Sequence, residues 1–316
     1  MAGLSATADG RRLAFLKEHL NVSSVDVGDM EGDGLGIVNP RRLTLSDSYD
    51  HAYAWTPDSK SVLFDSNRNG TWDVFRQALD QRTAAKLASP GGRPAMSPDG
   101  TSVLYLTSFA GDSGFHQPNR VIRVPLSGGP PQSLGELQNS FGLIRCARAA
   151  NVCVVSDSGT KERVFYALDP AKGKGRELLR TGPALNPGED GGWDLSPDGL
   201  ALALLKIDAQ KEAFQIQVRR LAGGAGRELD IGASGHAGGL NVALHYIRWA
   251  ADGRGLYVST VPPAGAWTLL KVDLTGKAQR LMQGFAWADA IPSPDGRHVA
   301  MMGWVPASNV WMLENF

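Results

Sequence analysis

The sequence has no excess of charge of either sign: 32 lysines and arginines stand against 32 aspartates and glutamates. A nucleic-acid surface requires a basic surplus, so no nucleic-acid partner is expected of this chain. No apolar run approaches the roughly 18 residues of a membrane span. The opening MAGLSATADGRRLAF lacks the apolar stretch of a signal peptide. With only two cysteines, Cys146 and Cys153, a disulfide-dense scaffold is excluded, and no CxxC redox or zinc pattern exists. No segment of ten or more residues carries convincing helical periodicity. The GxSxG elbow and the HExxH helix are both missing, and the six histidines are scattered without metal-ligand spacing. These absences leave no catalytic motif and call for no cofactor.

What the chain has in quantity is turn residues, 38 glycines and 18 prolines, as in a protein of short strands and tight turns. One phrase recurs: TADG, TPDS, SPDG, SPDG, AADG and SPDG, with its aspartate at Asp9, Asp58, Asp99, Asp198, Asp252 and Asp295. The spacings are 49, 41, 99, 54 and 43. The double interval conceals a degenerate copy, CARAANVCVV, in which Ala149 takes the aspartate's place. Seven copies at about 48 residues each fall in the range of propeller blades.

Each copy has one grammar. An apolar stretch such as AYAW or YIRW leads into the turn, where proline presets φ, aspartate bonds the local backbone and glycine takes positive φ. A β-type run follows (SVLFDS, SVLYLTS, HVAMMGW), then an alternating run (TWDVFRQAL, FQIQVRRL), then a short tail such as AKLAS or RELDI. This pattern predicts an all-β fold, a seven-bladed β-propeller of four-stranded antiparallel blades in a single domain over 1–316. The expected blades are 1–47, 48–91, 92–138, 139–184, 185–234, 235–284 and 285–316. The last repeat stops after its third strand, so that blade is expected to be incomplete, or the chain to be the tail of a longer polypeptide.

The phrase SVLFDSNRNGTWDVFRQALD resembles the repeat of TolB-like WD-type propellers, with Ser66, Arg68 and Gly70 between the second and third strands and Trp72, Asp73, Val74 and Phe75 after them. The segments IRCARAANVCVV, FYALDPAKGKGREL, WDLSPDG, RWAADGRGLYVS and PSPDGRHVAMMGW are similar to the carboxy-terminal propeller of multidomain acidobacterial proteins. There the propeller follows a winged-helix DNA-binding domain or a Ser/Thr protein kinase domain. The resemblance implies a bacterial signalling module with a protein-binding role. It places the module outside the cytoplasm, in the periplasm, if it is membrane-tethered. This chain has neither a kinase signature nor a winged helix, so neither activity transfers to it.

Cys146 and Cys153 take facing positions on either side of their degenerate turn, where adjacent antiparallel strands come close enough for a bridge. A disulfide could replace the missing turn chemistry in an oxidising compartment, and two small buried apolar residues are the plain alternative. Asp29, Glu31 and Asp33 read as the start of a calcium loop, but position twelve is Pro40 where a glutamate is required, so a solvated acidic stretch is the better reading. Gly32, Gly34 and Gly36, like KGKGR at 172–176, lack the context of a phosphate cradle. Trp193 and Trp287 stand at the start of innermost strands, with Tyr49, Asp50, His51, Asp190 and His245 at comparable entrance positions. These seven could converge on a ligand-binding channel mouth, or simply plug it.

The expectation is therefore a non-catalytic, monomeric scaffold for a protein, peptide or small ligand, the sensory or interaction module of a larger regulatory protein. The alternative is a propeller lyase or hydrolase with a polar or metal site in its channel.

Overall fold

A computed structural model describes the chain except residues 1–3, 10, 20–21, 33, 108–118, 140–141, 160, 183–191, 209–212, 223–226, 231–245, 261–266, 285–286, 305–306 and 315–316. Among the described residues there is no helix, and hence none long and apolar enough to cross a membrane.

The local driver is the turn phrase. In TPDS, the Thr56 hydroxyl donates to Asp58 Oδ1 at 2.6 Å and accepts from the Ser61 amide at 3.0 Å, while Asp58 Oδ1 accepts from the Lys60 amide at 3.1 Å. The same closed loop of bonds recurs through Ser196 with Asp198 and Ser293 with Asp295. The fourth position takes positive φ: Gly100 at 71°, Gly199 at 72°, Gly253 at 69°, Gly296 at 70° and Ser59 at 58°. The hydroxyl at the first position is thus as much part of the turn as the proline, aspartate and glycine. It lets the backbone satisfy itself where the strand ladder must stop.

Among the described residues the strands form seven sheets, six of four antiparallel strands and one of three. From the innermost strand outward, sheet I holds Asp50–Trp55, Ser61–Ser66, Asp73–Ala78 and Ala85–Ala88. Sheet II holds Gly92–Met96, Ser102–Leu106, Arg120–Pro125 and Gln132–Glu136. Sheet III holds Ile144–Ala147, Val152–Ser158, Arg163–Asp169 and Gly173–Thr181. Sheet IV holds Trp193–Leu195, Ala201–Asp208, Ala213–Arg220 and Arg227–Asp230. Sheet V holds Tyr246–Trp249, Gly255–Thr260, Trp267–Asp273 and Ala278–Gly284. Sheet VI joins Trp287–Pro292 and His298–Trp304 to Ser23–Glu31 and Gly36–Arg42, and sheet VII holds Leu4–Ala6, Arg12–His19 and Ala307–Glu314. Burial grades along each blade. Ser102–Leu106 is buried at every position, while Ala85–Ala88 at an outer edge is exposed or half-buried. Inner strands have neighbours on both faces, which is why their sequences read as unbroken apolar runs.

The fold is the expected all-β propeller with seven sheets, and the difference lies in how its two ends are shared. Residues 1–47 and 285–316 do not each keep their own strands. Instead Ser23–Glu31 pairs with His298–Trp304, in register from His298↔Asp29 to Trp304↔Ser23. A separate ladder in sheet VII pairs Ala307–Glu314 with Arg12–His19, from Ala307↔His19 to Glu314↔Arg12. Sheet VI packs on both sheet V and sheet I, so the circuit of packed sheets closes through the six four-stranded ones. The physical reason is edge satisfaction. The hairpin of Trp287–Trp304 would otherwise present an open edge, and Ser23–Glu31 closes it while burying Val25 and Val27 completely or nearly so.

Sheets I and VI meet over Trp55, Phe64, Phe75, Val25, Ile291 and Ala300. The Trp55 indole donates to the Ile291 carbonyl at 2.9 Å across this seam. Each fully buried Val, Leu or Phe contributes roughly 1.5–3 kcal/mol.

The degenerate turn has its own solution. Asn151 takes the positive φ, 51°, in place of glycine. Cys146 lies directly opposite Cys153 in the ladder, and the structure joins their sulfurs at 1.95 Å.

Two outcomes follow. Ser196→Ala should lower unfolding free energy by about 1–2 kcal/mol in urea, because the half-buried Ala201 amide loses its acceptor, while Ala250→Ser in the copy that lacks the hydroxyl should cost nothing. Equal effects at both sites would contradict this account of the turn. Thiol titration in guanidinium should find no free thiol before reduction and two after. Replacing both cysteines by alanine should cost about 2–3 kcal/mol, as for a short closed loop.

Candidate functional site: the ring axis

The first strands of all six four-stranded sheets converge at the axis, and each brings a charged or ionisable residue there. These are His51 from sheet I (with Asp65 beside it), Arg93 from II, Arg145 from III, Asp194 from IV, Arg248 from V and Asp289 from VI. All are buried, none more than 9% exposed. Arg145 Nε lies 3.1 Å from Asp194 Oδ1, and Asp194 Oδ2 accepts the Trp249 amide at 2.7 Å. Arg248 donates to Asp289 Oδ2, and His51 Nε2 lies 3.6 Å from the same oxygen. Asp65 Oδ2 accepts the Arg93 amide at 3.0 Å, and the Arg93 guanidinium donates to the Gly142 carbonyl at 2.7 Å.

Burial and partners pull these groups apart. Burial dominates at Asp65 and pushes its carboxyl up to about 6, against the lowering effect of His51 and Arg93. Burial also prevails at Asp194, raising it in spite of Arg145 and Arg248. At Asp289 burial is again the largest single effect, but Arg248, His51 and Arg145 together outweigh it, and the carboxyl titrates below its usual range. Arg145 is lowered to about 10, first by burial and then by the like charge of Arg248. Several polar atoms here have no hydrogen-bond partner among the described residues: His51 Nε2, Asp65 Oδ1, Arg145 Nη2, Arg248 Nε and Trp249 Nε1. Each such atom costs about 1–3 kcal/mol unless water or a ligand answers it.

Above this cluster, on the face made by the turn phrases, a cavity of about 580 Å³ opens. Its walls come from the same six sheets: Trp55, Met96, Leu195, Trp249 and Ile291, with Pro57, Pro98, Pro197 and Pro294 of the turns at the rim. Arg145, Asp194 and Arg248 reach it from the axis, and the exposed Arg148 joins them at the mouth.

The expected mouth residues have other roles. Asp50 is completely buried and fully answered: Arg68 donates to both carboxylate oxygens at 3.1 and 3.0 Å, Ser46 to one at 2.8 Å and Ser48 to the other at 3.1 Å. Arg68 in turn lies over Phe75, 4.6 Å from the ring centroid. The Ser-Arg-Gly phrase is therefore a latch on the first strand of its own blade. Tyr49 packs edge-on against Trp72 and donates its hydroxyl to Met302 Sδ at 3.7 Å. Trp193 is wholly buried against Phe165. His51 belongs to the axial cluster, between Tyr53 and Tyr246. None of these four lines the cavity. Asp190, His245 and the side chain of Trp287 lie outside what is described.

Asp29 and Glu31 are on a strand, not in a loop, and Asp29 takes hydrogen bonds from Asn39 and His298, while Asp33 lies outside the described residues. Among the described residues no group of three His, Cys, Asp or Glu could hold a metal ion. The residues that sequence reasoning missed, Arg145, Asp194 and Arg248, carry a readable signal. They are charged residues inside otherwise apolar first strands, each two places before the turn phrase.

No family model matches the chain. No curated protein matches it either. Solved propellers do. A protein assigned as TolB from Agrobacterium tumefaciens shares 16% identity at a TM-score of 0.67, over 92% of this chain and 100% of that one. A chain of a nidogen/laminin complex shares 10% at 0.58, over 90% and 100%. An oligogalacturonate lyase from Vibrio parahaemolyticus shares 14% at 0.55, over 94% and 84%. At such identities the likeness is one of fold: a TolB-like β-propeller.

Asp65 supplies a pH test. A buried acid with a raised pKa binds its proton more tightly folded than unfolded, so its contribution to stability is full below about pH 4 and falls as pH rises toward 6. Asp65→Asn should remove that fall, gaining on the order of 2 kcal/mol relative to wild type at pH 7 over pH 4. Parallel stability curves for the two proteins from pH 4 to 7 would contradict the assignment.

Proposed function

We propose that this propeller is a non-catalytic, monomeric binding scaffold, and that a peptide, protein segment or small ligand enters through the turn-face cavity. The observation that carries the reading is the cavity itself, a concave, largely apolar site bounded by all six four-stranded sheets, with a few polar groups gathered at its floor. Binding sites of drug-sized ligands have this composition and fall in this size range. The turn residues at the rim have little further structural duty, as is usual for loops on a rigid repeat scaffold. One structural neighbour, in the nidogen/laminin complex, is a propeller in a protein assembly. The resemblance to acidobacterial propellers adds that the scaffold is the sensory or interaction module of a larger regulatory protein.

A propeller enzyme, lyase or hydrolase, is the second reading. The likeness in fold to an oligogalacturonate lyase favours it, and the buried His51, Asp65 and Asp289 are the titratable groups it would use.

The scaffold reading is tested by screening a panel of short peptides and small metabolites for thermal stabilisation. At least one should raise Tm by several degrees at 100 times its Kd. The shift should vanish in Ala251→Trp, which places an indole at the cavity rim. A panel in which every stabilising compound acts equally on the filled variant would refute the assignment, and chemical turnover of a bound compound would move the protein to the second reading.

A further inference from the structure

The charges around the cavity are uneven. Three arginines, Arg145, Arg148 and Arg248, line it against one aspartate, Asp194. That aspartate is already committed, with one oxygen 3.1 Å from Arg145 Nε and the other accepting the Trp249 amide at 2.7 Å. Asp289, the counterion of Arg248, is not part of the lining. The two deep arginines are at least nine-tenths buried, Arg145 at 8% and Arg248 at 3% exposure. Arg145 Nη2, Arg248 Nε and Trp249 Nε1 all lack an acceptor among the described residues. Behind the floor stand several unanswered donors, each covered by protein, and the walls above it are tryptophan, proline and aliphatic surface. Burial together with the facing Arg248 charge already lowers Arg145, a strain that an anion between the two guanidinium groups would relieve.

We infer that the cavity binds a single carboxylate carried on an apolar group, with the carboxylate received by Arg145, Arg248 and the Trp249 indole and the apolar part held by Trp55 and the prolines of the turns. This rests on the scaffold reading and specifies its ligand. A planar guanidinium fork matches a planar carboxylate. Asp194 shares the floor and repels a second negative charge, which disfavours a phosphate dianion. The chemistry has two sources, the C-terminal residue of a peptide and a free small carboxylic acid.

Four probes separate them: a hexapeptide ending in Leu-Phe as free acid and as C-terminal amide, and 4-phenylbutyrate with 4-phenylbutyramide. Binding is read by calorimetry and by the fluorescence of Trp55 and Trp249. The free acid of at least one pair should bind tenfold or more tighter than its amide. Preference in the small pair assigns a free acid, and preference in the peptide pair alone assigns a C-terminus. Arg248→Gln should abolish the preference. Trp249→Phe, which keeps an aromatic ring and removes the indole donor, should reduce it several-fold at some cost in Tm, since Trp249 belongs to the core; the acid-to-amide ratio is read on folded protein, so a folding defect in the first variant does not decide the matter. Acid and amide binding equally would overturn the inference and leave the scaffold reading intact. Failure of all four probes would also overturn it, with the wider ligand screen still deciding the scaffold reading.

Discussion

Ring closure is the constraint on which the rest of this molecule depends. Sheets that pack only on their neighbours form a rigid body when the last meets the first. Here the meeting is made by exchange: the hairpin of Trp287–Trp304 takes Ser23–Glu31 and Gly36–Arg42 as its outer strands. A polar latch reinforces the seam. The Ser23 hydroxyl donates to the Asp50 carbonyl at 2.9 Å and accepts the Asp50 amide at 3.1 Å, and the Asp50 carboxylate is held by Arg68. Without that seam six first strands would have no common axis, and the cavity would have no floor.

Convergence at the axis creates a second problem, which the charged residues answer. Around the axis, Arg145 with Asp194 and Arg248 with Asp289 form ion pairs, while Asp65 takes the Arg93 amide and the Arg93 guanidinium bonds a carbonyl. Buried pairs of this kind are weak contributors to stability compared with well-packed apolar residues. Their incomplete hydrogen bonding at His51, Arg145, Arg248 and Asp289 is a further cost. A cluster that is costly to stability and borders a cavity fits the binding role proposed for it.

The fold was legible because its signal is local and repeated. Each turn phrase closes its own hydrogen bonds within about five residues, so a single copy reveals the hairpin and its spacing reveals the blades. The facing positions of Cys146 and Cys153 were legible for the same reason, since register across one tight hairpin follows from counting. Strand exchange between the ends was not legible, because Ser23–Glu31 has the same alternating grammar whichever hairpin it joins. The candidate cavity was not legible: at the start of the first strands, Asp50 and Trp193 look like entrance residues. Asp50 is spent on an arginine eighteen positions away and Trp193 on Phe165, contacts that no spacing rule announces. The cavity opens at the other end of those strands, beside the turns.

Sheet III links the two themes. Its turn alone has lost proline, aspartate and glycine, yet its first strand carries Arg145, a buried cation of the cavity floor. Cys146, the next residue, lines the same cavity and is bonded to Cys153 on the neighbouring strand. The covalent bond therefore does for this blade what the serine–aspartate bonds do for the others. It also fixes the strand position from which Arg145 reaches the axis. A binding floor built from buried charges needs rigid supports, because a small displacement of a desolvated arginine exposes it to its like-charged neighbour or separates it from its aspartate. The blade with the weakest turn chemistry is the one in which the staple and the floor of the candidate site are adjacent residues.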